Sequence, residues 1–141
     1  MALLLTPLTA LTVPVAQRVW VLFDQGCILA GLWISVRLLP RPPSRTEKLA
    51  LACLVLAFYP VHLELKDGQA SALLFLLVAL AALFWWRGWR QTAAWPIALA
   101  GSIKYYPLGF ALWFLRQRAF ATAALVGAGF AALVLLPDIV F

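Results

Sequence analysis

The sequence predicts an all-α fold: a polytopic integral membrane helical bundle with about five to six membrane segments and a short hairpin around Lys104. Of the 141 residues, 65% are hydrophobic and the mean hydropathy is +0.97, which is more apolar surface than a soluble domain of this length can bury. Only 11% are charged, and the basic residues behind the net charge of +6 lie in short segments between apolar runs. This distribution indicates the positive-inside bias of a membrane protein and excludes nucleic acid as the expected partner.

The first predicted span covers residues 17–39 and is flanked by Arg18 and Arg37. Asp24 lies about two turns inside it. Two interpretations of this acid stay open: an intramembrane functional carboxylate, or a group near the outer interface that pairs with Arg18 or with water. Residues 1–13 are apolar but lack a basic start and a small-residue cleavage site, so we expect a chain truncated at its N-terminus rather than a signal peptide.

A proline-rich basic loop at residues 40–48 follows the first span. Together with Arg37 it carries four cations against one acid, which predicts a cytoplasmic location. Ser44 or Thr46 is expected to cap the next helix, predicted at about residues 49–63.

The segment at residues 62–69 is polar but not net basic, so we expect it on the extracytoplasmic side. A span over residues 69–86 then returns to a basic turn at residues 87–90. Tryptophans flank this turn, as is typical of a membrane interface.

Residues 92–115 decide the predicted topology. Basic clusters stand before and after this stretch, at residues 87–90 and 116–118, and a single straight helix would separate them across the membrane. A turn at residues 101–107 keeps both clusters in the cytoplasm. The two limbs would then be roughly 15–20 Å long, shorter than the ~30 Å hydrocarbon core. The turn is therefore expected within the outer part of the bilayer, buried in protein or lining a wet cavity.

The last predicted span covers residues 119–137. It contains small residues at a spacing of four, Ala123, Gly127 and Ala131. Small residues at this spacing let two helices approach closely, so this face is expected to pack on a neighbouring helix.

Lys104 is the one charged residue between Thr92 and Leu115. An ammonium at membrane depth needs a negative partner, and a phosphate oxygen would pair with it strongly. The alternative is a lysine that extends to the outer headgroups beside two interfacial tyrosines, Tyr105 and Tyr106. We favour the anion site, because lysine is disfavoured on the outer side and the predicted turn lies deep.

Other candidates lie on the same predicted outer face. Gln69, directly after Gly68, could present its amide to a sugar hydroxyl or simply begin a helix. His62 and Asp67 could supply acid–base groups or be solvated loop residues.

Metal chemistry is not expected from this sequence. Cys27 and Cys53 lie in separate apolar runs, and no Cys/His cluster has metal-ligand spacing. The sequence therefore predicts no metal and no cofactor.

An ordered set of motifs resembles glycosyltransferase family 87, the polyprenyl-phosphate-mannose-dependent mannosyltransferases of bacteria. The family's typical run is a proline, a Gly-Gln pair opening a span, a basic turn, and a small-residue helix ending in Ile-Lys-x-x-Pro. Here the corresponding residues are Tyr59-Pro60, Gly68-Gln69, Arg87-Gly88-Trp89-Arg90, the run from Ala98 through Ile103-Lys104-Tyr105-Tyr106-Pro107, and Leu115-Arg116-Gln117-Arg118. The resemblance covers nearly the whole chain.

The resemblance implies a GT-C fold, a multi-pass bundle in the bacterial plasma membrane whose active site faces the extracytoplasmic side. The implied reaction moves a hexose, with mannose expected, from a polyprenyl-phosphate sugar to a lipid or polysaccharide acceptor. Lys104 would match the family's lysine near the donor phosphate, and Gln69 its glutamine. Tyr105, His62 and Asp67 complete the predicted substrate-binding set.

Two departures from the family pattern affect these expectations. The catalytic base is expected to be an aspartate in the first outer loop, which would precede Met1. Residues 1–141 are therefore expected to form a single transmembrane domain that is a partial GT-C module, inactive alone. Where the family often has asparagine after Gly-Gln, this chain has Ala70-Ser71. The alternatives are a carrier or flippase for an anionic lipid, with Lys104 as its substrate site, and an inactive truncated remnant.

Overall fold

The computed structural model describes residues 11–57 and 69–140, and these residues form helices joined by short turns. The described ranges contain no strand, which confirms the predicted all-α class. Six α-helices occur in them: α1 (Val13–Arg37), α2 (Arg45–Ala57), α3 (Ser71–Trp86), α4 (Ala94–Ile103), α5 (Gly109–Arg116) and α6 (Phe120–Val140).

Helix starts follow local capping chemistry. α1 begins at Val13, earlier than predicted, because Pro14 fits a first helical turn that needs no N–H donor. α2 begins at Arg45 because Ser44 caps it: the Glu47 N–H donates to Ser44 Oγ at 3.2 Å, and the Ser44 N–H donates to Glu47 Oε2 at 2.7 Å. This reciprocal pair is a complete capping box, and it confirms Ser44 as the cap.

Among the described helices, α1 is long and apolar enough to cross a bilayer. Its 25 residues extend about 37 Å, against a hydrocarbon core of about 30 Å. α3, α4 and residues Phe120–Leu135 of α6 are shorter apolar helices. The polytopic arrangement over five to six segments stays a prediction.

The chain divides into two compact units, Met1–Leu73 and Leu74–Phe141. In the first unit, α1 buries one face, made by residues spaced three and four apart: Asp24, Cys27, Gly31 and Ile34. Asp24 is 1% exposed, and both interpretations of this acid stay predictions.

In the second unit, α4 and α5 both pack on α6. The core joins three large side chains, Ile97, Phe114 and Val126, with three alanines, Ala81, Ala93 and Ala94. The alanines allow helix backbones to approach closely, as expected where small residues line an interface.

The packing face of α6 differs from the predicted one. Gly127 and Ala131 are exposed, and a Cβ on Gly127 would meet nothing within 4 Å. The buried face instead consists of Thr122, Val126 and Gly129. α6 is apolar all round, so the spacing of small residues could not by itself distinguish the face that packs.

Candidate functional site

The Lys104 turn, defined as residues Lys104 to Leu108, joins α4 to α5. α4 ends at Ile103, and Lys104 adopts an extended backbone (φ −140°, ψ 139°) while its N–H still donates to the Ala100 carbonyl at 3.0 Å. The 3-10 helix Tyr106–Leu108 follows, and Pro107 fits its first turn because that position needs no N–H donor. The helix therefore stops immediately before the lysine, where the sequence predicts a turn.

The Lys104 turn closes on the helix that precedes it. A Cβ added to Gly101 would overlap the Leu108 side chain, so a larger residue at this position would require Leu108 to shift. The Leu108 N–H donates to the Tyr105 carbonyl at 3.0 Å, and Ser102 Oγ donates to the Leu99 carbonyl at 2.8 Å. These contacts fix the backbone that carries Lys104.

The turn presents hydrogen-bond donors at its surface. Lys104 is half-buried, whereas Tyr105 and Tyr106 are 78% and 66% exposed. The Tyr105 ring meets the Phe130 ring edge-on, with centroids 6.2 Å apart. An ammonium beside two phenols can bind a phosphate together with a hydroxyl-bearing group.

The two basic turns of the second unit lie at one end of it. The Trp85 ring, at the end of α3, is 5.2 Å from the Phe114 ring, near the end of α5. Thr122 Oγ1, which is buried in the first turn of α6, donates to the Arg90 carbonyl at 3.2 Å. The distribution of basic residues predicts that residues 87–90 and 116–118 lie on the same side of the membrane.

The Lys104 turn lies away from that end. Tyr105 contacts α6 at Phe130, eight residues after Thr122, which corresponds to about 12 Å along the helix. The second unit therefore has an end with two arginine turns and an end with Lys104.

α3 and α5 end in the same backbone motif, which orients these arginine turns. In each, one residue adopts a left-handed conformation: Gly88 at φ 81° and Arg118 at φ 56°. The paired hydrogen bonds of a Schellman motif close both ends. They run from Gly88 N–H to Trp85 O, Trp89 N–H to Phe84 O, Arg118 N–H to Leu115 O and Ala119 N–H to Phe114 O, at 2.9–3.0 Å.

Arginine–tryptophan stacking accompanies the first of these turns. The Arg90 guanidinium carbon lies 5.2 Å from the Trp85 ring centroid, and that of Arg87 lies 5.8 Å from the Trp89 ring centroid. Such stacking suits side chains at a boundary between apolar and polar surroundings.

The predicted substrate-binding residues fall into three groups. Lys104 and Tyr105 lie together in the turn. Gln69 is exposed in the first unit, shortly before α3 begins. His62 and Asp67 lie outside the described residues. Gly101 was missed as a positioning residue, although an isolated glycine inside a helical pattern can indicate a packing role.

No group of three potential metal ligands occurs within residues 11–57 and 69–140. In those ranges Cys27 is buried and Cys53 is exposed, and both thiols are free.

The family model described as Glycosyltransferase family 87 matches residues 1–141. No curated protein and no solved structure matches the chain.

Proposed function

Because the chain belongs to glycosyltransferase family 87, we propose that it moves mannose from a polyprenyl-phosphate sugar to a lipid or glycan acceptor on the extracytoplasmic face of a bacterial plasma membrane. A sugar donor and an acceptor are the partners that membership of such a family implies. Membership also supports sugar transfer over the alternative of a carrier for an anionic lipid.

The observation that carries the proposal is the position of Lys104. It is the one cation between Arg90 and Arg116, and it lies at the end of the second unit away from both arginine turns. The positive-inside bias assigns the arginine end to the cytoplasm, which leaves the Lys104 turn on the extracytoplasmic side of a multi-pass bundle.

The proposed glycosyl transfer requires a cation near the phosphate that leaves. In the transfer, an acceptor hydroxyl attacks the anomeric carbon, the bond from that carbon to the phosphate oxygen breaks, and the electron pair leaves with the polyprenyl phosphate. The acceptor proton passes to a general base, a role that we assign to none of the described residues. Negative charge grows on the leaving phosphate, so a fixed ammonium stabilises the transition state more than the ground state.

The other residues have positioning roles in the proposal. The exposed phenols of Tyr105 and Tyr106 can donate to the phosphate or to the sugar. Gln69, His62 and Asp67, which precede α3 in the sequence, stay predicted substrate-binding residues.

The test substitutes Lys104 in the intact protein and measures transfer of mannose from polyprenyl-phosphate mannose. We expect Lys104→Ala to lower kcat about 10²–10³-fold, the range for losing one transition-state charge contact, and Lys104→Arg to retain more activity. Arg116→Gln, which removes a cation from the other end of the unit, is the matched control and should stay near wild type. Unchanged kcat in Lys104→Ala would show that the assigned role is wrong.

A donor comparison tests the sugar separately. Polyprenyl-phosphate glucose should be a poorer donor than polyprenyl-phosphate mannose, which is measured as a lower kcat/KM. Equal use of both donors would leave the glycosyltransferase assignment standing and remove the mannose assignment.

A further inference from the structure

The first unit contains a cleft of about 720 Å³ between the end of α1 and the start of α2, which we name the α1–α2 cleft. Its volume falls in the range of about 300–1,000 Å³ that is usual for ligand pockets. Its lining is mainly apolar and includes Trp33, Leu51, Pro42 and Pro43.

Two cations line the same cleft, Arg37 from the last turn of α1 and Lys48 from the first turn of α2. None of the described residues that line it carries a carboxylate. An apolar groove lined by two basic residues is complementary to a ligand that has an apolar chain and a negatively charged head.

The one acid of this loop is engaged elsewhere. Glu47 Oε1 accepts a hydrogen bond from the Arg41 guanidinium at 2.7 Å, and Glu47 Oε2 accepts one from the Ser44 N–H at 2.7 Å. The Glu47 carboxylate is therefore bound to Arg41 and to the start of α2. It does not neutralise the positive charge that Arg37 and Lys48 give to the cleft.

The guanidinium of Arg37 is held at the cleft wall. Its carbon lies 3.9 Å from the centroid of the Trp33 ring, which is a close cation–π stack. Arg37 is also the last residue of α1, the helix of membrane-spanning length, so the cleft begins where that helix ends. A helix that spans a bilayer ends near the lipid headgroups, which carry the phosphates.

We propose that the α1–α2 cleft binds an anionic phospholipid, with the lipid phosphate facing Arg37 and Lys48 and part of an acyl chain lying on Leu51, Pro42 and Pro43. The binding forms no covalent bond and involves no residue of the proposed transfer site. It therefore stands independently of the glycosyl-transfer proposal.

The experiment titrates the intact protein in detergent with phosphatidylglycerol and with phosphatidylcholine and follows the one-to-one lipid adduct by native mass spectrometry. We expect tighter binding of phosphatidylglycerol. Arg37→Gln/Lys48→Gln should weaken that binding about thirty-fold, since each basic residue near a lipid surface contributes on the order of a factor of five.

The charge-matched control is Arg45→Gln/Arg116→Gln, which removes two exposed cations that do not line the cleft. It should leave phosphatidylglycerol binding within about two-fold of wild type. Equal weakening in both double variants would show a diffuse attraction and overturn the site.

A second variant tests the apolar half of the proposal without changing charge. Ala52 lines the cleft, and Ala52→Trp should fill it and abolish the phosphatidylglycerol preference while the far-ultraviolet circular dichroism stays native. Unchanged binding in Ala52→Trp would overturn the acyl-chain placement.

Three further results would overturn the phospholipid assignment. Equal binding of phosphatidylcholine would remove the anionic requirement. If inorganic phosphate at the same concentration as phosphatidylglycerol displaces the lipid, the cleft binds the headgroup alone and not the acyl chain. Tighter binding of a polyprenyl phosphate than of phosphatidylglycerol would assign the cleft to a different lipid.

Discussion

Gly101 and Leu108 are in contact across the Lys104 turn, with so little space that a methyl group on Gly101 would overlap Leu108 Cδ2 and lie 2.8 Å from Leu108 Cγ. Gly101 is buried in α4, and Leu108 packs on the core of the second unit. The contact ties the start of α5 to the end of α4, and Lys104 lies between the two residues. Its position therefore depends on a glycine three residues before it.

Gly101→Ala should displace Leu108 and with it the Lys104 turn. Overpacking typically costs about 1–3 kcal/mol, and the better helix propensity of alanine returns up to about 1 kcal/mol. We expect a net loss of about 1 kcal/mol in the free energy of unfolding in detergent, together with a lower kcat for sugar transfer. The double variant Gly101→Ala/Leu108→Ala removes the clash. It should therefore be more stable, by about 1 kcal/mol, than the sum of the two single-variant changes in free energy of unfolding predicts. If the changes in free energy of unfolding of the two single variants add up to that of the double variant, the contact is contradicted.

Gly127 and Gly129 offer a matched pair on α6. A Cβ on Gly129 would lie 3.0 Å from Ala98 Cβ on the buried face of α4, whereas one on Gly127 would meet nothing. Gly127→Ala should therefore stabilise the helix by up to about 1 kcal/mol. Gly129→Ala should be less stable than Gly127→Ala by about 1–3 kcal/mol, because α4 must shift. Thermal unfolding of both variants in one detergent measures the difference, and equal stabilities would place the packing face elsewhere.

Gly88 and Arg118 occupy the same left-handed position in two equivalent helix ends. A residue with a Cβ pays a conformational penalty of about 1 kcal/mol there, which glycine avoids. Gly88→Ala should lower the free energy of unfolding by about 1 kcal/mol, and Arg118→Gly should raise it by a similar amount. Arg118→Ala is the control, since it removes the charge and keeps the Cβ. Stabilisation by Arg118→Ala as large as that by Arg118→Gly would point to charge as the cause.

The capping box at the start of α2 predicts a dependence on pH. The Ser44 N–H, then the Ser44 side chain, and to a smaller extent Arg41, hold the pKa of Glu47 below its ordinary value. Since the folded-state pKa is lowered, the stabilisation is present above the unfolded-state pKa of about 4.3 and is lost as pH falls through the lower folded-state value. Glu47→Gln keeps a neutral capping partner and should be less stable than wild type at pH 7.

The Glu47 experiment compares wild type and Glu47→Gln by chemical unfolding between pH 7 and pH 2.5. Their difference in free energy of unfolding should be constant down to about pH 5 and then shrink. A difference that stays constant to the lowest pH would show that the Glu47 carboxylate is not the titrating group.

Local sequence chemistry accounts for the helix ends. The sequence predicts Ser44 or Thr46 as the cap of α2, and the structure selects Ser44, which exchanges two hydrogen bonds with Glu47 three residues later. The basic clusters on both sides of residues 92–115 predict a turn at residues 101–107, and α4 ends at Ile103. The cap depends on neighbouring residues and the turn on the charge pattern, so composition and spacing suffice to predict both.

Composition and residue spacing were enough to predict the all-helical class, Ser44 as one of two candidate caps of α2, and the separation of Lys104 from the arginine turns along the chain. Only the packed helices show which face of α6 packs, that Asp24 is buried, and that Trp85 meets Phe114 so that both arginine turns share one end. The physical reason is that a helix apolar on every side has no stripe that identifies its buried face. Contacts such as the one between Gly101 and Leu108 depend on sub-ångström fit, which only the folded arrangement of helices fixes.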